Sequence, residues 1–189
     1  TDYAELAAQL RAHGAVPSQS FNDRLGPSEA RFIAERDSFY LATISETGWP
    51  YVQHRGGPKG FLRVFDEKTL GFADYSGNRQ YVSVGNLKTD DRVSLLLMDY
   101  PNRTRLELLG RARVVEFDGD NDLVRHLSLP DYRARVERGV VINVEAFDWN
   151  CPQHITPRFT SDEIEVAVRP LRKRIAELED QLRSVTSLS

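Results

Sequence analysis

Apolar and polar residues alternate in short runs from residue 39 onward, the pattern of strands that bury one face. Phe39-Tyr40-Leu41-Ala42-Thr43-Ile44 reads as a strand, with Glu46-Thr47-Gly48 as the turn after it. Tyr51 to Arg55, Phe61 to Phe65 and Leu70 to Tyr75 predict three more, the last two joined tightly at Asp66-Glu67-Lys68. Arg92 to Met98 is apolar enough to predict a strand buried on both faces. Thr104 to Phe117 predicts a long strand, interrupted at Gly110 where a bend or bulge would fit. Val140 to Phe147 closes the series. Between these runs only Arg79 to Leu87 and Asp120 to Leu127 predict short helices. Short strands at close spacing with few helices between them predict a mainly β fold with flanking helices, an antiparallel barrel or sandwich.

Both ends change period. Asp2 to His13 carries alanine and leucine at helical spacing before Gly14 and Pro17, and a polar linker runs from Ser18 to Pro27. Ser28 is the expected N-cap of a short helix that turns Phe32 and Ile33 inward. At the other end Ile164, Val168, Leu171, Ile175, Leu178, Leu182 and Val185 recur in steps of four and three, the seam of a heptad helix. Thr160 and Glu163 are spaced as a capping box at its start, and Glu179 and Arg183 as a favourable pair four apart. Pro170 lacks the N–H for an interior helix bond, so a kink or restart is expected there. Such a helix either covers the barrel or pairs with a second copy, and pairing within its own dimer is the expectation. The division that follows is 1–37 for the N-terminal helices, 38–160 for the β domain and 161–189 for the C-terminal helix.

Charge and cysteine content narrow the function. Twenty-five basic residues stand against 28 acidic ones, a balance that argues against a nucleic-acid grip. A single cysteine, Cys151, allows no internal disulfide. No apolar run has the length of a membrane span, and Thr1-Asp2-Tyr3-Ala4-Glu5 lacks the basic-then-apolar order of a signal peptide. A cytoplasmic location without membrane attachment is therefore the expectation.

Two places gather groups suited to a phosphate. In Gln53-His54-Arg55-Gly56-Gly57-Pro58-Lys59-Gly60 a strand enters a glycine-rich turn, where the backbone can approach an anion beside two cations. An ordinary hairpin with exposed cations has the same sequence signature. Ser76-Gly77-Asn78-Arg79-Gln80 leads into a predicted helix, where free N–H groups join side-chain donors, although Ser76 or Asn78 would also serve as a plain cap. A third segment, Trp149 to Arg158, holds two prolines, an indole, an imidazole and a guanidinium in one irregular loop. It either lays rings against a ligand or caps the core with Trp149. The histidines at 13, 54, 126 and 154 lack zinc-ligand spacing, so no metal site is expected. Neither a P-loop nor GxGxxG occurs.

Taken together, Gly48-Trp49-Pro50-Tyr51-Val52-Gln53-His54-Arg55-Gly56-Gly57, Gly71 to Tyr81 with its Gly-Asn-Arg-Gln, Asp91-Arg92-Val93-Ser94-Leu95-Leu96-Leu97 and Leu109-Gly110-Arg111-Ala112 resemble the flavin-binding split barrel of the pyridoxamine 5′-phosphate oxidase family. The resemblance runs from Phe39 to Phe117 and includes Trp149 to Arg158. It implies a homodimer holding flavin mononucleotide (FMN) at the subunit interface, and an oxidoreductase that works on a small molecule or takes electrons from a nicotinamide. It places Gln53, His54 and Arg55 at the flavin phosphate and ring edge, and Ser76, Asn78, Arg79 and Gln80 in the phosphate loop. Arg105 falls near the ring across the interface, and Trp149, Gln153 and Arg158 in the closing segment. No catalytic residue is assigned; His154 is the nearest candidate. Gln53 and Pro58 replace the arginine and lysine of true pyridoxine-phosphate oxidases, and Gln153-His154-Ile155 replaces their Arg-x-His, which sets the chain in a different subgroup. A non-catalytic flavin or haem module and a deazaflavin-dependent reductase are the alternatives the same barrel allows.

Overall fold

A computed structural model describes residues 22–77, 81–116, 122–129, 132–150 and 153–186. The expected helix over Asp2 to His13 and the first part of the linker, residues 18–21, lie outside those residues, as do Asn78, Arg79, Gln80 and Cys151. The chain divides into two compact units, Thr1–Met98 with Arg105–Cys151, and Asp99–Thr104 with Pro152–Ser189.

The first unit is built on strands β1 (Ser38–Ile44), β2 (Pro50–Gly56), β3 (Leu62–Val64), β4 (Thr69–Tyr75), β5 (Arg92–Asp99), β6 (Thr104–Glu116) and β7 (Val136–Asn150). They form one sheet in the order β2-β1-β5-β6-β7-β4-β3, and each pairing whose register is described is antiparallel. The predicted strands are all present, so the period-two reading carried the architecture. Helices α1 (Pro27–Ala34), α2 (Val82–Asn86) and α3 (Asp122–Leu127) flank the sheet.

The core shows how the sheet curls. Phe39 on β1 stacks on Phe61 at 5.6 Å and meets Phe72 on β4 edge-on at 5.3 Å. All three rings are essentially buried, with Leu41, Leu70, Leu95, Leu97, Leu106, Leu108 and Ile142 around them. Gly57 lies against Phe61, where an added Cβ would come within 2.7 Å of the ring. Gly110 sits at a register shift between β6 and β7, and a Cβ there would reach 2.4 Å from the Asn143 carbonyl oxygen. The predicted interruption is thus a bulge that only glycine can occupy.

Several expectations need correction. β7 runs to Asn150, well past Phe147, because β6 pairs with it as far as Arg105 opposite Asn150, while β4 pairs with its first half up to Asn143. Trp149 therefore stands on a strand, not in an irregular loop. β5 alternates, with Val93, Leu95 and Leu97 buried and Ser94, Leu96 and Met98 half-buried, so only one of its faces is fully covered. The helix expected from Arg79 is a five-residue turn starting at Val82, after Tyr81 has taken a left-handed conformation with φ of 48°.

Helix α1 starts on Gly26 and Pro27, one residue pair before the expected Ser28 cap. The cap is supplied from within by Glu29, whose Oε2 accepts the Gly26 N–H at 2.8 Å while Oε1 accepts Ser28 Oγ at 2.9 Å. Trp149 Nε1 donates to the same Oε1 at 2.8 Å, and its ring packs edge-on to Phe32 at 4.8 Å.

In the second unit, α4 (Ser161–Thr186) begins at the predicted capping box, where Glu163 Oε2 accepts the Thr160 N–H at 2.8 Å and Thr160 Oγ1 accepts the Glu163 N–H at 3.2 Å. It passes through Pro170 as one helix and does not restart. Arg183 pairs with Asp180 at 2.7 Å, three residues away, not with Glu179. Among the described residues no helix is long and apolar enough to cross a membrane.

Burial by itself would raise the Glu29 carboxyl, but hydrogen bonds from Trp149, Ser28 and the Gly26 backbone outweigh it and hold the group below its usual 4.5. A lowered carboxyl contributes stability above 4.5 that is lost as pH falls through its folded value. Glu29→Gln, which turns one acceptor into a donor, is expected to cost about 1–2 kcal/mol at neutral pH. Urea unfolding at pH 7 and below 4.5 should show that cost shrinking in acid.

Candidate functional site

Strand β2 has one half-buried and one exposed face in strict alternation. Tyr51, Gln53 and Arg55 share the inner face opposite the buried Thr43, Leu41 and Phe39 of β1. Val52 and His54 share the outer face, where His54 meets Tyr40 at 5.8 Å. The structure therefore brings Gln53 and Arg55 together and sets His54 on the other side of the sheet.

At the inner face Arg55 Nη1 donates to Asp74 Oδ1 of β4 at 2.7 Å, linking the edge strand β2 to β4 across the mouth of the aromatic core. The Arg55 guanidinium also lies 5.7 Å from the Phe72 ring centre. Asp74 is the register partner of Arg138 on β7, whose Nε comes to 3.7 Å from Asp74 Oδ2. Arg138 in turn stacks over the Tyr81 ring at 4.8 Å, and Tyr81 donates its hydroxyl to Glu137 at 3.1 Å. Gln53 Oε1 accepts Ser83 Oγ of α2 at 2.9 Å, and Asn86 Nδ2 of the same helix donates to Thr43 Oγ1 at 2.9 Å. These bonds fix a short helix whose own length could not hold it. Between them lies a cavity of about 60 Å³ lined by Gln53, Arg55, Asp74, Tyr75, Tyr81, Val84 and Glu137.

The electrostatics are unusual in one respect. Asp74 sits between two guanidinium groups, yet burial outweighs both and raises its carboxyl above the usual 3.8. Three buried donors in this cluster, Arg55 Nε, Arg138 Nε and Tyr75 Oη, meet no acceptor among the described residues. Burial also pushes the Tyr75 phenol upward, so it stays a protonated donor at neutral pH. A cluster with spare donors and a small cavity is suited to an anionic group.

The remaining sequence candidates fall elsewhere. Ser76 is exposed and gives its backbone N–H to the Arg135 carbonyl at 2.8 Å. Lys59 is exposed at the glycine turn. Gly56 and Gly57 there are crowded by His54 and Phe61, so internal packing accounts for them. Arg105 stands at the start of β6 opposite Asn150, at the end of the ladder that holds Trp149, with Glu107 at 3.6 Å. The Trp149 indole is engaged with Glu29 and Phe32. In the second unit Gln153 is exposed, His154 takes φ of 64°, and Arg158 lies over the Tyr100 ring at 4.7 Å. No group of His, Cys, Asp or Glu able to hold a metal ion occurs among the described residues. Sequence reading missed Asp74, Arg138 and Tyr81. Arg138 offered no motif, only a lone cation ahead of an apolar strand.

The family model for pyridoxamine 5′-phosphate oxidase matches residues 26–142. Among solved structures, the chain resembles a candidate pyridoxamine 5′-phosphate oxidase from Lactobacillus delbrueckii at 24% identity and a TM-score of 0.51, over 67% of this chain and 94% of that one. It also resembles HupZ of Group A Streptococcus at 14% identity and a TM-score of 0.53, over 71% of this chain and all of that one (100%). At such identities the likeness is one of fold. No curated protein matches the chain by sequence.

Because burial of Asp74 costs more than its two ion pairs return, Asp74→Asn should leave the unfolding free energy at pH 7 within about 1 kcal/mol of the parent. A raised carboxyl contributes stability that is full below 3.8 and lost as pH rises through its folded value, so the Asn variant should gain on the parent above 3.8. Urea titrations across that range measure the difference. A parent far more stable at neutral pH would mean that the ion pairs outweigh the burial.

Proposed function

Because the chain belongs to the pyridoxamine 5′-phosphate oxidase family, we propose that it is a flavoprotein that binds FMN and uses it as an oxidoreductase, exchanging hydride or electrons with a small molecule. The observation that carries this reading is a pair of buried donors, Arg55 Nε and Tyr75 Oη, left without a hydrogen bond on residues that line a cavity of about 60 Å³, with the equally unbonded Arg138 Nε behind Asp74. That volume suits a phosphate and not a whole nucleotide, since sites for entire small ligands run to about 300–1,000 Å³. The phosphate would be taken by Arg55, with Gln53 and Ser83 positioned beside it and Arg138 behind Asp74. Asn78, Arg79 and Gln80 adjoin this cluster in sequence, immediately before Tyr81.

When bound, FMN supplies the redox chemistry, and the protein's share is to hold and enclose it. Enclosure calls for a second copy. The outer face of β2, β1 and β5 carries Val52, Tyr40, Ala42 and Leu96 as register neighbours, with Val52 60% exposed and Tyr40 38% exposed. An apolar strip of this kind, with His54 at its margin, suits the subunit contact of a homodimer. Arg105, with a buried Nε lacking an acceptor, is a further donor for a ring held between copies. Trp149, Gln153 and Arg158 remain the proposed closing groups, and a nicotinamide the proposed electron donor.

The test is direct. Purified protein should carry, or take up on adding FMN, the visible bands of an oxidised flavin. Arg55→Ala should weaken FMN binding tenfold or more, as loss of a charged hydrogen bond worth roughly 1.5–3 kcal/mol requires. Riboflavin, which lacks the phosphate, should bind parent and variant alike. Equal loss for both ligands would remove Arg55 from the phosphate. Turnover with NADH or NADPH and an electron acceptor would support the oxidoreductase; a bound flavin that never turns over would favour a carrier module, and uptake of haem or deazaflavin alone would replace FMN.

A further inference from the structure

Helix α4 spans 26 residues, and its seam carries exposed apolar side chains: Ile164, Leu171, Ile175, Leu178 and Leu182 are between 43% and 70% exposed. We propose that this helix is one strand of a parallel, in-register two-stranded coiled coil with α4 of a second copy. The inference goes beyond the flavin reading and does not depend on it.

The identity of the seam residues selects the partner. Steps of four and three put Val168, Ile175 and Leu182 at the a positions and Ile164, Leu171, Leu178 and Val185 at d. β-branched residues at a with leucine at d fit side by side in two strands, and the central layers Leu171, Ile175 and Leu178 follow that rule. In parallel register each layer meets its own kind, so Ile175 packs on Ile175 of the second copy and Leu178 on Leu178. In the antiparallel arrangement branched and unbranched side chains would face each other.

The flanks agree in charge. Arg174 occupies a g position and Glu179 the e position five residues on, the pair that faces across a parallel dimer. Each interface then gains two Arg174–Glu179 contacts. The preceding facing pair is Ala167 with Arg172, with no like charges opposed. Arg174 now reaches Glu177 at 3.1 Å on its own helix while 60% exposed, so it can turn to a new partner. Arg172 bonds Glu165 at 2.7 Å along the e row, a brace within each strand. Pro170 lands at a c position, away from the seam, and the carbonyl it deprives of a partner belongs to Val166 at f, also facing water. A proline at a or d would have broken the interface; at c it is compatible.

The test uses the full chain with Cys151→Ser, so that one introduced thiol reports alone. Leu182→Cys should form a disulfide-linked dimer under mild oxidation, because parallel register sets the two thiols side by side. Glu177→Cys, on the outer face, should not. Adding Ile175→Asp should abolish the Leu182→Cys dimer without changing the circular dichroism of the β unit. Arg174→Glu should lower the yield, and Arg174→Glu with Glu179→Arg should restore it. Absence of the Leu182→Cys dimer overturns the proposal; cross-linking only between mixed Leu171→Cys and Leu182→Cys proteins would show the antiparallel form and overturn it too. Because the thiol reads the helices alone, failure here leaves a dimer of β units, visible as unchanged mass by light scattering, as a separate matter.

Discussion

A single antiparallel sheet can hide its apolar face from water only by turning that face upon itself. Here the turn is made where Phe39, Phe61 and Phe72 meet, one ring from the β1 side of the sheet, one from the link after β2 and one from β4. Each ring is essentially buried, and aromatic side chains of this size contribute more apolar area than any other residue in the core. The glycine at 57 follows from this closure, since any side chain there would strike Phe61.

The candidate site inherits its position from the same closure. Arg55 is the register partner of Phe39, and Asp74 lies two residues beyond Phe72, so curling the sheet brings the charged pair together at the rim of the rings. The rim is dry enough to raise the Asp74 carboxyl despite two nearby guanidinium groups. Stability alone would favour an apolar replacement at such a place. What the arrangement supplies instead is two cations held rigid by one carboxylate, with spare N–H groups. Preorganised donors of this kind bind an anion without first having to be ordered.

Much of this was legible beforehand, for reasons that differ by residue. Strands with one wet face announce themselves by alternation, and Gly110 marked its bulge because nothing else fits against the Asn143 carbonyl. Period two also separates His54 from Gln53 and Arg55, a consequence that a motif read as one block conceals. Arg138 was invisible, since it joins the site through the pairing of β7 with β4, more than sixty positions away in sequence as counted from Asp74 to Arg138, and the residues around it do not say which distant strand it will face. Trp149 looked like loop because Pro152 and Pro157 follow it, but the long partner strand β6 carries β7 on to Asn150. The early end of the helix before Ser28 shows a similar competition: Glu29 serves the Gly26 N–H and the Trp149 indole together, so a tertiary contact chose the cap.

The two proposed assembly surfaces also bear on each other. On the strip formed by Val52, Tyr40 and Leu96 only Val52 is more than half exposed, and a contact made through such a strip alone would be weak. A coil between the C-terminal helices would make the second contact intramolecular, raising the effective concentration of one β unit at the other to the millimolar range of about 1 mM that short tethers give. Under that linkage the subunit contact need not be tight to be occupied, and it is free to be shaped for the ligand it encloses. A 26-residue helix with an exposed apolar seam fits that division of labour: the proposed coil would hold the copies together, and the β units would leave room between them.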